Sequence, residues 1–107
     1  MRNWFKAAAL AGMLVAGTTS AQEFKPAVIF DMGGKFDKSF NEAAYNGAEK
    51  FKSETGIDYL EFEVTNESQR DQALRRMAQR ADIVVAVGFA FTTPLETIAA
   101  EFPDKKF

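Results

Sequence analysis

Hydrophobic and polar residues change their spacing along the chain after residue 22, and the changes predict three strands that alternate with three helices. The predicted strands are the apolar run 27–30, the alternating stretch 59–64 and the charge-free stretch 83–87. After each strand, apolar residues recur at the three- and four-residue spacing of an amphipathic helix. The sequence therefore predicts an α/β fold with a parallel sheet and the order β-α-β-α-β-α.

Each predicted helix begins at a capping signal. The capping residues are Ser39 with Glu42 in the first helix, Asn66 with Gln69 in the second, and Thr93 followed by Pro94 in the third. The first two pairs have the spacing of a capping box, and a proline suits the first helical position. The first helix is expected to end before Gly56 and the third before Pro103, because these residue types stop helices.

The spacing of apolar residues also predicts which side of each helix is buried. The expected inward stripes are Phe40, Ala43, Ala44, Gly47 and Phe51; then Ala73, Leu74, Met77 and Ala78; then Leu95, Ile98, Ala99 and Phe102. The arginines at positions 70, 75, 76 and 80 are expected to point to solvent. Strand 83–87 is expected at the centre of the sheet, strand 59–64 near an edge, and residues 105–107 at the start of another strand.

Residues 1–21 have the pattern of a secretory signal peptide. Arg2 and Lys6 precede the apolar stretch 7–16, which is too short to span a membrane, and small residues at 19–21 precede a cut expected before Gln22. The alternative is an uncleaved membrane anchor. The sequence predicts that residues 22–107 form one unit.

Composition excludes several classes of function. Two of the 13 basic residues lie in the predicted signal peptide, so the remainder carries 11 basic and 15 acidic residues. This acidic balance argues against a nucleic-acid partner. The chain has no cysteine and no histidine, which removes disulfides, the commonest general base and the commonest metal ligand. No cofactor or metal is predicted.

Ligands of open parallel sheets bind beyond the carboxyl ends of the strands, so the loops 31–41, 65–67 and 88–92 are the candidate segments. Asp31 ends an apolar strand, where an unsatisfied charge is costly. Its carboxylate can accept two hydroxyl hydrogens, which suits a vicinal diol such as ribose. Phe40 can project over the crevice as a stacking surface. The alternatives are that Asp31 caps a turn and that Phe40 is a hydrophobic staple.

Gly88, Phe89, Ala90 and Phe91 form a second candidate segment, in which either phenylalanine can wall the pocket or belong to the core. A phosphate-binding loop is excluded because Phe36 follows Lys35, and no dinucleotide fingerprint is present. One alternative function is a small exported α/β enzyme acting on a nucleotide or sugar, with Asp31 and Asp37 as acid and base. Another is an interaction module that uses the arginines of the second helix.

The segment DMGGKFDKSFNEAAYNGAEKF, residues 31–51, resembles the D-x-G-x-x-x-D-x-S-F-N signature near the start of the basic membrane protein (BMP) family. These are substrate-binding proteins of ABC transporters, related to purine-nucleoside receptors. The stretches IVVAVGFAF and EFPDKKF also resemble that family. The resemblance implies a type I periplasmic binding protein, which has two α/β lobes joined by hinge strands with the ligand between them. Residues 22–107 would be the N-terminal part of the first lobe, apparently truncated.

The resemblance also implies roles for individual residues and no catalysis. Asp31 would hold the ribose hydroxyls, Phe40 would stack on the base, Ser39 and Asn41 would shape that wall, and Gly88 and Phe89 would form the adjacent edge. The implied partners are a small-molecule solute, with a purine nucleoside as the leading case, and an ABC permease in the membrane. The cysteine that lipidates many members is missing, which implies a soluble periplasmic form.

Overall fold

The computed structural model describes residues 24–107, so the predicted signal peptide lies outside the described residues. The elements are β1 (Pro26–Phe30), α1 (Phe40–Thr55), β2 (Leu60–Glu63), α2 (Arg70–Arg80), β3 (Ile83–Ala86) and α3 (Thr92–Glu101). Short 3-10 turns at Glu67–Gln69 and Phe89–Phe91 lead into α2 and α3. The predicted α/β order is confirmed. Within residues 24–107, no helix is both long enough and apolar enough to cross a membrane.

The three described strands form a parallel sheet in the order β2-β1-β3. Among these three strands β1 lies at the centre, and β3, which the sequence placed there, is next to it. Residues 27–30 are as apolar as residues 83–87 and equally suited to burial on both faces, so composition alone could not show which strand lies at the centre. Lys106 forms a parallel bridge with Ile83 on the outer side of β3. Residues 105–107 thus begin a further pairing, as predicted.

The hydrophobic core lies between one face of the sheet and helices α2 and α3. Its largest buried members are Ile29, Leu74, Val84, Phe91 and Ile98. The other face of β1 turns toward α1, where the Phe30 ring meets the edge of the Tyr45 ring at 6.3 Å between centroids. Because α1 covers only part of this face, Val85 of β3 remains 47% exposed. The predicted inward faces of α2 and α3 are confirmed in their main residues.

The predicted inward stripe of α1 is confirmed at Ala44 and Phe51 but is wrong toward the start of the helix. Asn41 is buried and Tyr45 is half-buried, whereas Phe40, Ala43 and Gly47 are exposed. At its first turn the helix buries the Asn41 amide, which is hydrogen-bonded to the end of β1, rather than an apolar side chain. Periodicity counts only apolar residues, so it could not give a polar side chain this position.

The capping predictions have mixed outcomes. The capping box of Asn66 and Gln69 is present. Ser39 precedes α1 as predicted but makes no capping bond through its side chain, and the Asp37 carboxylate performs that role instead. In the third helix, the 3-10 turn lets α3 begin at Thr92, so Pro94 lies within the first turn rather than at its start. A proline is tolerated there because first-turn N–H groups have no partner within the helix.

Candidate functional site

The carboxyl ends of β1 and β3 open onto a cleft of about 440 Å³. The cleft is lined by Asp31, Met32, Asp37, Phe40, Asn41, Val87, Gly88 and Phe89. Five of the six predicted site residues are therefore brought together, although they lie in segments almost 50 positions apart in the sequence. Ser39 does not line the cleft. Its side chain makes no capping bond, and its backbone N–H donates to Asp37 Oδ1 at 2.8 Å.

Two aromatic rings stand at the rim of this cleft. Phe40 at the start of α1 is 71% exposed, and Phe89 after β3 is 88% exposed. Large apolar side chains grouped at an opening are typical of a surface that receives a ligand or another part of a protein. Phe91 is only 1% exposed and belongs to the core. The two phenylalanines of this segment thus have opposite environments, with Phe89 alone at the cleft.

Asp31 does not stand free at the end of β1. Its Oδ1 accepts a hydrogen bond from Arg70 Nε at 3.0 Å and forms an ion pair with Arg70 Nη2, also at 3.0 Å. The Arg70 side chain is 12% exposed, so the prediction that it points to solvent is wrong. The helical spacing predicted on which side of α2 Arg70 lies. It could not predict that this side, at the start of α2, meets the end of β1.

Gly88 lies directly beside the Asp31 carboxylate. Its φ of +116° is a backbone conformation that other residues rarely adopt. A Cβ atom at this position would also lie 3.1 Å from Asp31 Oδ2. The glycine therefore lets the end of β3 approach the acid, and it leaves Oδ2 on the side of the cleft.

Asn41 fixes the backbone at the end of β1. Its Oδ1 accepts from the Asp31 N–H at 3.0 Å, and its Nδ2 donates to the carbonyl oxygens of Asp31 at 3.1 Å and Met32 at 3.4 Å. Because the amide is buried, these bonds are needed to offset its loss of water. The predicted role of Asn41 in shaping the wall thus has a physical basis: the side chain orders the loop rather than pointing into the opening.

Asp37 caps α1 from inside the cleft. Its carboxylate accepts hydrogen bonds from the backbone N–H groups of Ser39 at 2.8 Å, Glu42 at 3.0 Å and Asn41 at 3.3 Å. Burial by itself would raise the pKa of Asp37, but the backbone hydrogen bonds from Glu42, Ser39 and Asn41 outweigh it and hold the pKa below its ordinary value. Asp37 is therefore ionised at neutral pH, with its charge directed at the positive end of the helix.

A second set of polar contacts ties the loop after β1 to strand β2. Lys35 Nζ lies 2.9 Å from Glu61 Oε1, and the Lys35 backbone N–H donates to Glu63 Oε2 at 2.8 Å. The hydrogen bond to Glu61 raises the pKa of Lys35 above its ordinary value. The polar side of β2, which the alternating pattern predicted, thus holds the loop that carries the cleft.

The structure adds four residues to those that the sequence predicted for the site. Met32, Asp37 and Val87 line the cleft, and Arg70 supports it through Asp31. Asp37 had been considered only as a catalytic acid or base. The contact of Arg70 with Asp31 joins residues 39 positions apart, so no local pattern could have predicted it.

The sequence matches the family model of the ABC transporter substrate-binding protein, PnrA-like, over residues 24–107. An uncharacterized lipoprotein of Pyrococcus abyssi is 42% identical over 105 residues, which cover 92% of this chain and 26% of that protein. Basic membrane protein A of Borreliella burgdorferi is 31% identical over 83 residues, covering 77% of this chain and 24% of that protein.

Among solved structures, a solute-binding protein of an ABC transporter system from Aeropyrum pernix superimposes with a TM-score of 0.72 and 31% identity. The match covers 78% of this chain and 23% of that one. The chain thus spans about a quarter of the length of the relatives that it matches. The family match over residues 24–107 confirms the resemblance that residues 31–51 indicated, and the chain belongs to the PnrA-like family of ABC transporter substrate-binding proteins.

Proposed function

We propose that these residues are part of the first lobe of an extracytoplasmic substrate-binding protein that delivers a nucleoside-like solute to an ABC permease. One observation carries the proposal: the Asp31 carboxylate and the Phe40 ring line the same opening at the carboxyl edge of a parallel sheet. This edge is where open α/β sheets bind their ligands. Family membership supports the role in transport, and the chemistry of the cleft supports the class of ligand.

The proposed ligand combines hydroxyl groups with a flat ring. The Asp31 carboxylate accepts hydrogen bonds from the sugar hydroxyls, while the exposed Phe40 ring offers a stacking surface for a base. Phe89 and Gly88 form the facing edge of the cleft. A cleft of about 440 Å³ is within the size range of sites for small molecules. A purine nucleoside is the leading candidate.

Closure around the ligand requires more protein than the described residues. Phe40 and Phe89 are largely exposed, and relatives are about four times as long as the matched segment. In the proposed protein, a second lobe covers these rings and the ligand shifts the equilibrium toward the closed state. The permease then distinguishes the closed form from the open one.

The proposed location is outside the cytoplasm, in the periplasm. The predicted signal peptide and the names of several relatives as lipoproteins support export. We propose that the protein associates with the membrane through its transporter.

The alternative functions are less well supported. A carboxylate with a lowered pKa and three backbone hydrogen bonds is a poor proton acceptor, which argues against Asp37 as a catalytic base. The interaction surface on α2 is also smaller than predicted, because Arg70 pairs with Asp31 and Arg75 pairs with Glu101 at 2.9 Å.

Titration calorimetry on the full-length protein tests the proposal. We expect Asp31→Ala to weaken binding of a purine nucleoside by about 1–3 kcal/mol, as for the loss of hydrogen bonds to a charged group. Phe40→Ala should also weaken binding. Phe36→Ala is the matched control, because Phe36 is an exposed aromatic residue of the same loop that does not line the cleft. Unchanged nucleoside affinity in both Asp31→Ala and Phe40→Ala would contradict the proposed site.

A further inference from the structure

Arg70 occupies a position that its helix does not favour. It is the first residue of α2 and lies close to the positive end of the helical segment that begins at Glu67, a place that disfavours a cation. The guanidinium nevertheless lies inside the protein, 12% exposed, with its carbon 5.8 Å from the centre of the buried Phe91 ring. The contact that offsets this cost is the ion pair with Asp31.

The pair leaves the two oxygens of Asp31 in different environments. Arg70 Nε donates a hydrogen bond to Oδ1 at 3.0 Å, and Arg70 Nη2 forms the ion pair with the same oxygen at 3.0 Å, so both guanidinium contacts fall on Oδ1. No residue in the 24–107 range donates to Oδ2. That oxygen lies beside Gly88, and both residues line the cleft. The Asp31 backbone cannot turn away, because the Asn41 amide holds both its N–H and its carbonyl group.

The pair also balances charge at the cleft. Asp31 is matched by Arg70, and Asp37, the other acid of the lining, is matched by the N–H groups at the start of α1. A lone carboxylate beside apolar rings would require a counter-charge, which a cationic solute can supply. With both carboxylates compensated, a neutral hydroxyl group is a sufficient partner for Oδ2.

We propose that Arg70 is a positioning residue of the ligand site. It holds the Asp31 carboxylate so that only Oδ2 faces the ligand. Its positive charge also compensates the charge of Asp31, so that the cleft binds neutral sugar hydroxyls in preference to cationic solutes. This inference rests on the proposed function, since it assumes that Asp31 contacts the sugar. Arg70, at the start of α2, thus influences which ligand binds without contacting the ligand itself.

The test compares a ribonucleoside with its 2′,3′-dideoxy counterpart by titration calorimetry on the full-length protein. We expect Arg70→Met to weaken binding of the ribonucleoside about tenfold, as for one lost hydrogen bond to a charged group, and to leave the dideoxy compound unaffected. Arg70→Lys keeps the charge and one donor, so it should restore part of the difference. Arg76→Met is the matched control, because Arg76 is exposed on the same helix. Circular dichroism on each variant checks folding.

A double-mutant cycle separates positioning from general support of the structure. If Arg70 acts through Asp31, then Arg70→Met has no further effect on ribonucleoside affinity in an Asp31→Asn background. Equal losses for both nucleosides, or equal losses in both backgrounds, would overturn the inference. If Arg70→Met does not fold, the same criteria are applied to Arg70→Lys.

Failure of the inference and failure of the proposed function give different results. If Asp31→Asn weakens ribonucleoside binding while the Arg70 variants keep the wild-type ratio between the two nucleosides, only the role of Arg70 is overturned. If the wild-type protein does not bind the ribonucleoside, or if Asp31→Asn binds it unchanged, the proposed site itself is overturned.

Discussion

The side chain of Asn41 closes a ring of hydrogen bonds with the backbone of Asp31. Its Oδ1 accepts from the Asp31 N–H at 3.0 Å, and its Nδ2 donates to the Asp31 carbonyl oxygen at 3.1 Å. The first turn of α1 is thereby joined to the first residue after β1. The acid and the neighbouring Phe40 are held in a fixed relation before any ligand arrives, which lowers the cost of ordering them on binding.

Replacing Asn41 should therefore destabilise the protein. Asn41→Ala leaves the Asp31 N–H and carbonyl groups without their partner, and we expect a loss of about 1–3 kcal/mol in the free energy of unfolding. Asn46→Ala is the control, because Asn46 is exposed on the same helix. Urea denaturation measures both. Equal stability of the two variants would show that the ring of hydrogen bonds contributes nothing.

Two glycines should respond in opposite directions to alanine. Gly88→Ala forces an alanine to a φ of +116° and puts its Cβ 3.1 Å from Asp31 Oδ2, so we expect a loss of about 1–3 kcal/mol. Gly47→Ala lies within α1, where a Cβ meets nothing within 4 Å. There we expect a gain of about 0.5–1 kcal/mol from helix propensity. Thermal and urea unfolding measure both changes, and a stabilised Gly88→Ala variant would contradict the account of this contact.

Asp37 should make stability depend on pH in the acid range. Its carboxyl has a pKa below the ordinary value of 3.8 in the folded protein, because backbone hydrogen bonds outweigh the effect of burial. The stabilisation is therefore present above about pH 4 and is lost as the pH falls through the folded pKa. Asp37→Asn should flatten this part of the stability curve, measured by urea unfolding between about pH 2 and pH 6. Asp104→Asn, which replaces an exposed acid, is the control, and an unchanged curve in Asp37→Asn would refute the assignment.

The two phenylalanines around Ala90 should separate stability from binding. Phe91 is 1% exposed, so Phe91→Ala should cost about 3–5 kcal/mol of folding free energy. Phe89 is 88% exposed, so Phe89→Ala should change stability by less than about 0.5 kcal/mol. Under the proposed function, Phe89→Ala should nevertheless weaken nucleoside binding. A large loss of stability in Phe89→Ala would mean that its ring packs against the protein rather than facing the cleft.

Much of the fold could be predicted because its signals are local. Two apolar runs and one alternating stretch predicted the three strands, and the capping box of Asn66 and Gln69 predicted the start of the second helical segment. The change from apolar to charged residues predicted that Asp31 lies at the end of a strand. The rule that ligands bind at the carboxyl edge then brought Asp31 and Gly88 together, although β1 and β3 are far apart in sequence.

The remaining features depend on choices that no local pattern decides. Asp37 and Ser39 are both good capping residues two positions apart. The left-handed conformation of Lys38, with φ of 59°, accompanies the turn in which Asp37 reaches the helix N–H groups. Arg70 has the spacing of a solvent-facing residue, and only the path of α2 over the end of β1 makes it a partner of Asp31. Contacts of this kind are fixed by packing between elements, so they required the structure.

A crystal structure of the full-length protein grown with a purine nucleoside shows whether Asp31 and Phe40 contact the ligand as proposed. We expect ribose hydroxyls within hydrogen-bond distance of Asp31 Oδ2, the base stacked on the Phe40 ring, and Arg70 still bonded to Oδ1. A nucleoside bound elsewhere, or one that places its sugar away from Asp31, would contradict the proposal.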